Sequence, residues 1–190
     1  MSKQHLPVIA VTAWQMLFEY ARAVPGQSVF ILGAAGNVGA YAVQLAVQAG
    51  IHVLAAAGPH DAEYVRRLGA ERFLDSKTGK IGESVQPVDA IIDTVGGDIV
   101  EQALRFLKAG GMVVSVVSTT PAPQRPGLRS VFFYVEVTTA RLDRISELLD
   151  HRKLLTHVET VLPLEHVRAA HEMLAGAPHE RGKIVLNVGL

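Results

Sequence analysis

The chain has 190 residues, 18 basic against 18 acidic side chains, no cysteine, 49% hydrophobic and 19% charged residues. That length suits one domain, or one plus an appendage, with a core burying about two-thirds of the unfolded surface. Balanced charge argues against nucleic acid or an anionic membrane as the main partner, and the lack of Cys removes disulfides, thiolate metal sites and Cys nucleophiles.

A helix is expected from Leu6 to Tyr20, with Ala10, Ala13, Trp14, Leu17 and Phe18 on one side, leading to Pro25-Gly26. Val29-Phe30-Ile31-Leu32 reads as a strand and passes through a Gly-rich turn into a helix from Val38 to Ala49, where Val38, Ala42, Leu45, Ala46 and Ala49 keep helical spacing. Gly50 stands where glycine ends helices. A second strand covers His52 to Ala57, a helix Asp61 to Leu68, and a third strand Arg72 to Asp75. The fourth strand is read from Asp89 to Val95 and closes at Gly96-Gly97. Asp98 then caps a helix carrying Val100, Ala103, Leu104 and Leu107 inward as far as Gly110-Gly111. Met112 to Val117 is the fifth strand, and after a loop with Pro121, Pro123 and Pro126 the run Val131-Phe132-Phe133-Tyr134-Val135-Glu136-Val137 is the sixth.

Strands apolar on both faces and alternating with helices imply an α/β fold: a Rossmann-type, doubly wound, six-stranded parallel sheet in the order 3-2-1-4-5-6. A helix holding Leu142, Ile145, Leu148 and Leu149 follows. Then come a half-buried strand from Thr156 to Val161, a helix start at Pro163, a stop at Gly176 and a last strand from Lys183 to Val188. The late strands have no place in the six-stranded sheet. The expected division is a dinucleotide-binding domain at 5–152 and a C-terminal segment at 153–190.

Gly33-Ala34-Ala35-Gly36-Asn37-Val38-Gly39 follows a strand and opens a helix. That context points to a diphosphate site: a turn without side chains bares backbone N–H groups at the positive end of a helix dipole. Gly39 is expected to let the helix pack close to the sheet. NAD-binding folds also place an acid at the end of the second strand for the ribose hydroxyl. Here that end reads Ala57-Gly58-Pro59-His60, and Asp61 lies past it as a helix-start residue. A 2′-phosphate is then not repelled, so NADP(H) is favoured over NAD(H), with His60, Arg66 and Arg67 available to assist. A methyltransferase would also want that acid.

Other chemistries lack their residues. The positions four after Tyr20, Tyr41, Tyr64 and Tyr134 are Val24, Leu45, Leu68 and Thr138, so the Tyr-x-x-x-Lys of short-chain dehydrogenases is missing. His166 and His171 are five apart rather than the four that align imidazoles on a helix, and no Ser occupies a nucleophile elbow. Asp93 faces the ligand crevice by topology, with a structural hydrogen bond as its expected role. No apolar run reaches the roughly 18 residues that span a bilayer, and Met1-Ser2-Lys3-Gln4-His5 lacks a secretory h-region. A cytoplasmic location is expected.

Several motifs together resemble the medium-chain dehydrogenase/reductase superfamily. They are Leu6-Pro7-Val8 leading to Thr12-Ala13-Trp14, Gly26-Gln27-Ser28-Val29, the glycine turn with Val43-Gln44-Leu45-Ala46, Leu68-Gly69-Ala70, Asp93-Thr94-Val95-Gly96-Gly97 and Gly182-Lys183-Ile184-Val185. The form of the turn and Phe132-Phe133-Tyr134-Val135-Glu136 are similar to its zinc-free, quinone-oxidoreductase-like (zeta-crystallin-like) branch. The resemblance implies an NADPH-dependent reductase of quinones, enones or aldehydes, and a homodimer pairing through 131–137. It implies cofactor contacts at Thr12, Gly33, Ala35, Gly36, Asn37, Val38, Gly39, Ala57, Gly58, Ser76, Val95, Val117, Ser118, Phe132 and Phe133. It also implies an N-terminal GroES-like domain that this chain lacks and to which the late strands would belong. Val8 stands where zinc enzymes can place a Cys ligand, so no zinc is expected, and Asp61 and Ser76 stand where some quinone reductases hold the 2′-phosphate with Lys and Tyr. No proton donor is evident, so the 190 residues alone are expected to be inactive. The alternative is a catalytically inactive nucleotide-binding or structural protein derived from the same family.

Overall fold

The computed structural model describes residues 7–78, 86–117, 127–178 and 182–189. Two compact units emerge, residues 1–154 and 155–190. The first is built on a six-stranded parallel sheet of β1 (Ser28–Leu32), β2 (His52–Ala57), β3 (Arg72–Asp75), β4 (Val88–Asp93), β5 (Leu107–Ser115) and β6 (Arg129–Phe132). Their spatial order is β3-β2-β1-β4-β5-β6, so the sheet winds outward in both directions from the β1/β4 boundary.

Strand periodicity sorts the side chains into two cores. Val29, Ile31, Val53, Ala55, Ala90, Ile92 and Val114 face one layer. Phe30, Leu32, Leu54, Ala56, Ile91 and Val113 alternate with them and face the other. On the first face lie α1 (Pro7–Trp14), α2 (Asn37–Gln48), α3 (Ala62–Arg67) and α5 (Thr139–Asp150), which contribute Val11, Val43, Val65 and Ile145. On the other lies α4 (Asp98–Ala103), through Val100 and Ala103. Ile31, Ile91 and Ile92 are fully buried, each worth about 1.5–3 kcal/mol in transfer from water.

Several boundaries differ from those expected. The leading helix is α-helical only to Trp14 and continues as a π-helix over Gln15–Tyr20. The helix after Gly97 is shorter: Gly97, at φ 72°, is its N-cap, and Asp98 is the first helical residue, making no side-chain cap. Its carboxylate still sits in the turn that favours negative charge. A 3₁₀ turn at Leu104–Phe106 then ends the helix, and Leu107 already starts β5, five residues earlier than expected. Pairing of Val88 with Leu107 draws that segment into the sheet. The sixth strand is Arg129–Phe132 rather than 131–137. Beyond Phe132 the chain leaves the sheet, because Phe133 stacks on Tyr20 with centroids 4.2 Å apart and the Glu136 amide donates to Gln15 Oε1 at 3.1 Å. The proline loop at 121–126 lies outside the described residues.

The second unit pairs β7 (Val158–Pro163) with β8 (Lys183–Asn187) in parallel, with α6 (Val167–Leu174) between them in sequence. Pro163 closes β7 rather than opening the helix, which follows a 3₁₀ turn at Leu164–His166. Among the described residues no helix is long and apolar enough to cross a membrane.

One ion pair ties α5 to the leading helix. Arg141 donates from Nε to Glu19 Oε1 at 2.8 Å and from Nη2 to Oε2 at 2.7 Å, and its Nη1 reaches the Glu136 carbonyl at 2.8 Å. Arg141 outweighs partial burial and, with help from Gln15, holds the Glu19 carboxyl below its ordinary value of 4.5. A carboxyl depressed in the folded state stabilises above its unfolded pKa and loses that contribution as pH falls through the folded one. Glu19→Gln should therefore lower the urea midpoint at pH 6 and approach wild type near pH 3; a gap of equal size at both pH values contradicts this role.

Candidate cofactor site

Strand registers bring most of the expected contacts to one edge. Leu32 pairs with Ala56 on one side and Asp93 on the other, Asp93 pairs with Ser115, Ser115 with Phe132, and Ala57 with Asp75. The segments leaving these strands at their carboxyl ends carry Gly33, Ala57, Gly58, Ser76, Val95, Val117 and Phe132 together. The order reverses between β1 and β4, the place where open α/β sheets leave a crevice for ligands.

At that boundary the turn after β1 is folded by its own main chain. The Gly33 and Ala34 amides donate to the Ala56 carbonyl at 3.0 and 2.9 Å, and the Gly36 amide donates to the Gly33 carbonyl at 2.9 Å. Gly33 has φ +76°, and a Cβ there would stand 2.4 Å from Thr94 Oγ1 and 2.5 Å from Val95 Cγ2. A Cβ on Gly39 would stand 2.1 Å from the Gly33 carbonyl oxygen and 2.8 Å from Ala34 Cα. Gly39 is thus needed for the turn to close on its own backbone, whereas close packing against the sheet was expected of it.

The helix dipole follows from this closure. Ala40 makes the first bond back, to the Gly36 carbonyl at 2.9 Å, so the amides of residues 37–39 precede the intrahelical ladder. Gly36 caps α2 with extended geometry and no side-chain hydrogen bond, and Gly36 and Asn37 are exposed. Ala35 and Val38 are half-buried beside them. The start of a twelve-residue helix capped by glycine, with no side-chain cap bond, has the geometry that suits an anion.

The remaining expected residues divide. The Ser76 amide donates to the Ala57 carbonyl at 2.9 Å, placing Ser76 and then exposed Lys77 beside Gly58. Asp61 stands at the N-cap of α3, and its Oδ2 would lie 3.2 Å from a Cβ on Gly58, so a carboxylate does approach the end of β2. Thr12 is buried on α1, its hydroxyl donating to the Val8 carbonyl at 2.6 Å. The Phe133 ring is turned into the core against Tyr20, while Phe132 is exposed and meets Tyr134 edge-on at 5.1 Å. Ser118 lies outside the described residues.

Asp93 takes the structural role. It is fully buried; Oδ1 accepts from the Val95 and Gly96 amides at 3.0 and 2.8 Å, and Oδ2 accepts from Ser115 Oγ at 2.7 Å. Ser115 and Thr94 were not among the sequence candidates. Thr94 Oγ1 donates to the Leu32 carbonyl at 2.7 Å, pinning the loop after β4 to the end of β1. The one sequence signal for Ser115 is a lone polar residue inside the apolar run Met112-Val113-Val114-Ser115-Val116-Val117.

Comparison with known proteins bears on the family and the fold. Residues 68–186 match the family model of zinc-binding dehydrogenases. The chain is 31% identical to the mitochondrial NAD(P)H oxidoreductase RTN4IP1 of Bos taurus, covering 96% of this chain and 54% of that protein. It is 32% identical to a segment of the polyketide synthase GfsB of Streptomyces halstedii, covering 96% of this chain and 4% of that protein. The solved quinone oxidoreductase of Coxiella burnetii superposes with a TM-score of 0.85 at 32% identity, covering 97% of this chain and 59% of that one. The chain therefore spans about half the length of the mitochondrial oxidoreductases it matches.

The family's name raises the question of zinc. The 190 residues hold no cysteine, and among the described residues no three His, Asp or Glu side chains converge, so the described residues alone offer no donor set for the metal.

The glycine contacts can be tested directly. Gly39→Ala should cost about 1–3 kcal/mol of stability through overpacking and should weaken nucleotide binding. Gly36→Ala, whose Cβ would meet only the Gly33 carbonyl at 3.1 Å, should cost less. Equal unfolding midpoints for the two variants would refute the proposed closure of the turn.

Proposed function

The chain belongs to the zinc-binding dehydrogenase family, within the medium-chain dehydrogenase/reductase superfamily that its motifs resemble, and on that premise we propose that it binds NADPH for hydride transfer to quinones, enones or aldehydes. The observation that carries this reading is the uncapped first turn of α2, with the Gly33–Gly39 backbone closed behind it. When bound, the nicotinamide cofactor supplies the hydride chemistry, and the protein contributes binding, orientation and electrostatics.

The part played by these residues follows from their places. The amides of residues 37–39, at the positive end of α2, hold the diphosphate. Ala57, Gly58 and Ser76 border the adenosine half, and Val95, Val117 and Phe132 border the other mononucleotide half, since the two halves of a doubly wound sheet each take one nucleotide. Ser76, Lys77 and His60 around the end of β2 favour a 2′-phosphate. Asp61 beside Gly58 favours a free ribose hydroxyl instead, which makes NADH the competing ligand. The names of the relatives, an NAD(P)H oxidoreductase and a quinone oxidoreductase, support the reaction class. A homodimer pairing through the outer strand β6 belongs to the same proposal, supported by the exposure of Phe132 and Tyr134 beside it.

No acid or base among the described residues stands at the crevice with an obvious proton to give. Binding without turnover is therefore the expected behaviour of these 190 residues on their own. Calorimetry should show NADPH binding more tightly than NADH, and Lys77→Glu should narrow or reverse that order. Heat from neither nucleotide would remove the proposal, tighter NADH would reverse the cofactor assignment, and quinone reduction at the rate of a full-length relative would contradict the expected inactivity. Light scattering that reports a monomer would remove the dimer.

A further inference from the structure

The Asp93–Ser115 contact links more of the crevice than a single buried hydrogen bond requires. Both residues are fully buried, although one is an acid and each lies at the last position of its strand. On the β4 side, Asp93 Oδ1 gathers the Val95 and Gly96 amides into a tight loop. On the β5 side, Ser115 Oγ donates to Asp93 Oδ2 at 2.7 Å and accepts from the Val117 amide at 2.9 Å. The Val116 amide closes the circuit by donating to the Asp93 carbonyl at 3.2 Å. The loop so fixed is the one whose Thr94 and Val95 side chains stand against Gly33, and Thr94 is itself bonded to the Leu32 carbonyl.

We infer that Ser115, acting through Asp93, is a positioning residue for the nicotinamide half of the cofactor. It locks the 94–97 loop to residues 116–117 and leaves the adenosine half untouched. This rests on the proposed nucleotide binding and deepens it. The asymmetry comes from topology. The bonds of Asp93 and Ser115 fall within β4, β5 and the loops that follow them, where the second mononucleotide half lies. The adenosine side is built from Ala57, Gly58 and Ser76, held by separate main-chain bonds between β2 and β3. Removing the Ser115 hydroxyl takes the donor from buried Asp93 Oδ2, where an unsatisfied group is costly and the loops relax instead, and it cuts the bond that ties the Val117 amide to the end of β5.

Two ligands that differ only in the nicotinamide separate this role from general support of the fold. The full chain is titrated with NADPH and with 2′-phospho-ADP-ribose, as wild type, Ser115→Ala and Ser115→Thr. Ser115→Ala should weaken NADPH about tenfold, as expected for loss of one buried charge-assisted hydrogen bond, and should change 2′-phospho-ADP-ribose by less than about twofold. Ser115→Thr, which keeps the hydroxyl, should restore the wild-type ratio of the two affinities. If the alanine variant does not fold, Ser115→Cys fills a similar volume with a weak donor and should show the same selective loss. Parallel weakening of both ligands, or of neither, overturns the inference. A wild type that binds neither ligand overturns the nucleotide reading itself, and that result precedes any variant.

Discussion

At Gly33 and Gly39 the main chain passes so close to itself and to the end of β4 that no side chain fits, and the rest of the site depends on this steric constraint. Closing the turn on its own carbonyl brings α2 out of the sheet with no side-chain cap at its first turn. An ordinary helix start would satisfy one of those amides with Ser, Thr, Asp or Asn at the cap. Here Gly36 occupies the cap, so the positive end of the helix lacks that side-chain bond and, on the proposed reading, is open to a ligand.

The same turn is held from the far side by a polar node inside an otherwise apolar sheet. Burying a carboxylate is costly unless its lone pairs are used, and Asp93 uses them on two amides and a hydroxyl. That arrangement joins the loops after β4 and β5, while a separate bond from Thr94 ties the first of them to the end of β1. Apolar strands supply the stability beneath it, and the polar bonds supply the shape above it. The separation suits the proposed role, in which a bound cofactor would bring the chemistry: the sheet is generic, and what distinguishes the site is where its loops are fixed.

Much of the fold was legible because its signals are local. β2 and β3 have the boundaries expected from sequence, since apolar runs between helix stops leave little room for another reading. The strand order followed from handedness and from strands apolar on both faces. The turn at 33–39 was legible from its spacing, although the neighbour that makes Gly39 indispensable was not. What sequence could not supply were partners distant along the chain. β6 stops at Phe132 because Phe133 finds Tyr20 and Glu136 finds Gln15, contacts that no window around 131–137 contains. The role of Ser115 cannot be read locally because its partner Asp93 lies 22 positions away. Leu107 was read as helical because its spacing fits a helix, and only its pairing with Val88 draws it into a strand.

The central claim concerns particular hydrogen atoms, so the most direct measurement observes them. In a ¹⁵N-resolved NMR titration of the chain with NADPH, the amides of residues 37–39 should show the largest shifts. Saturable shifts that leave residues 37–39 unmoved, or that centre on another part of the chain, would contradict a diphosphate held at the start of α2.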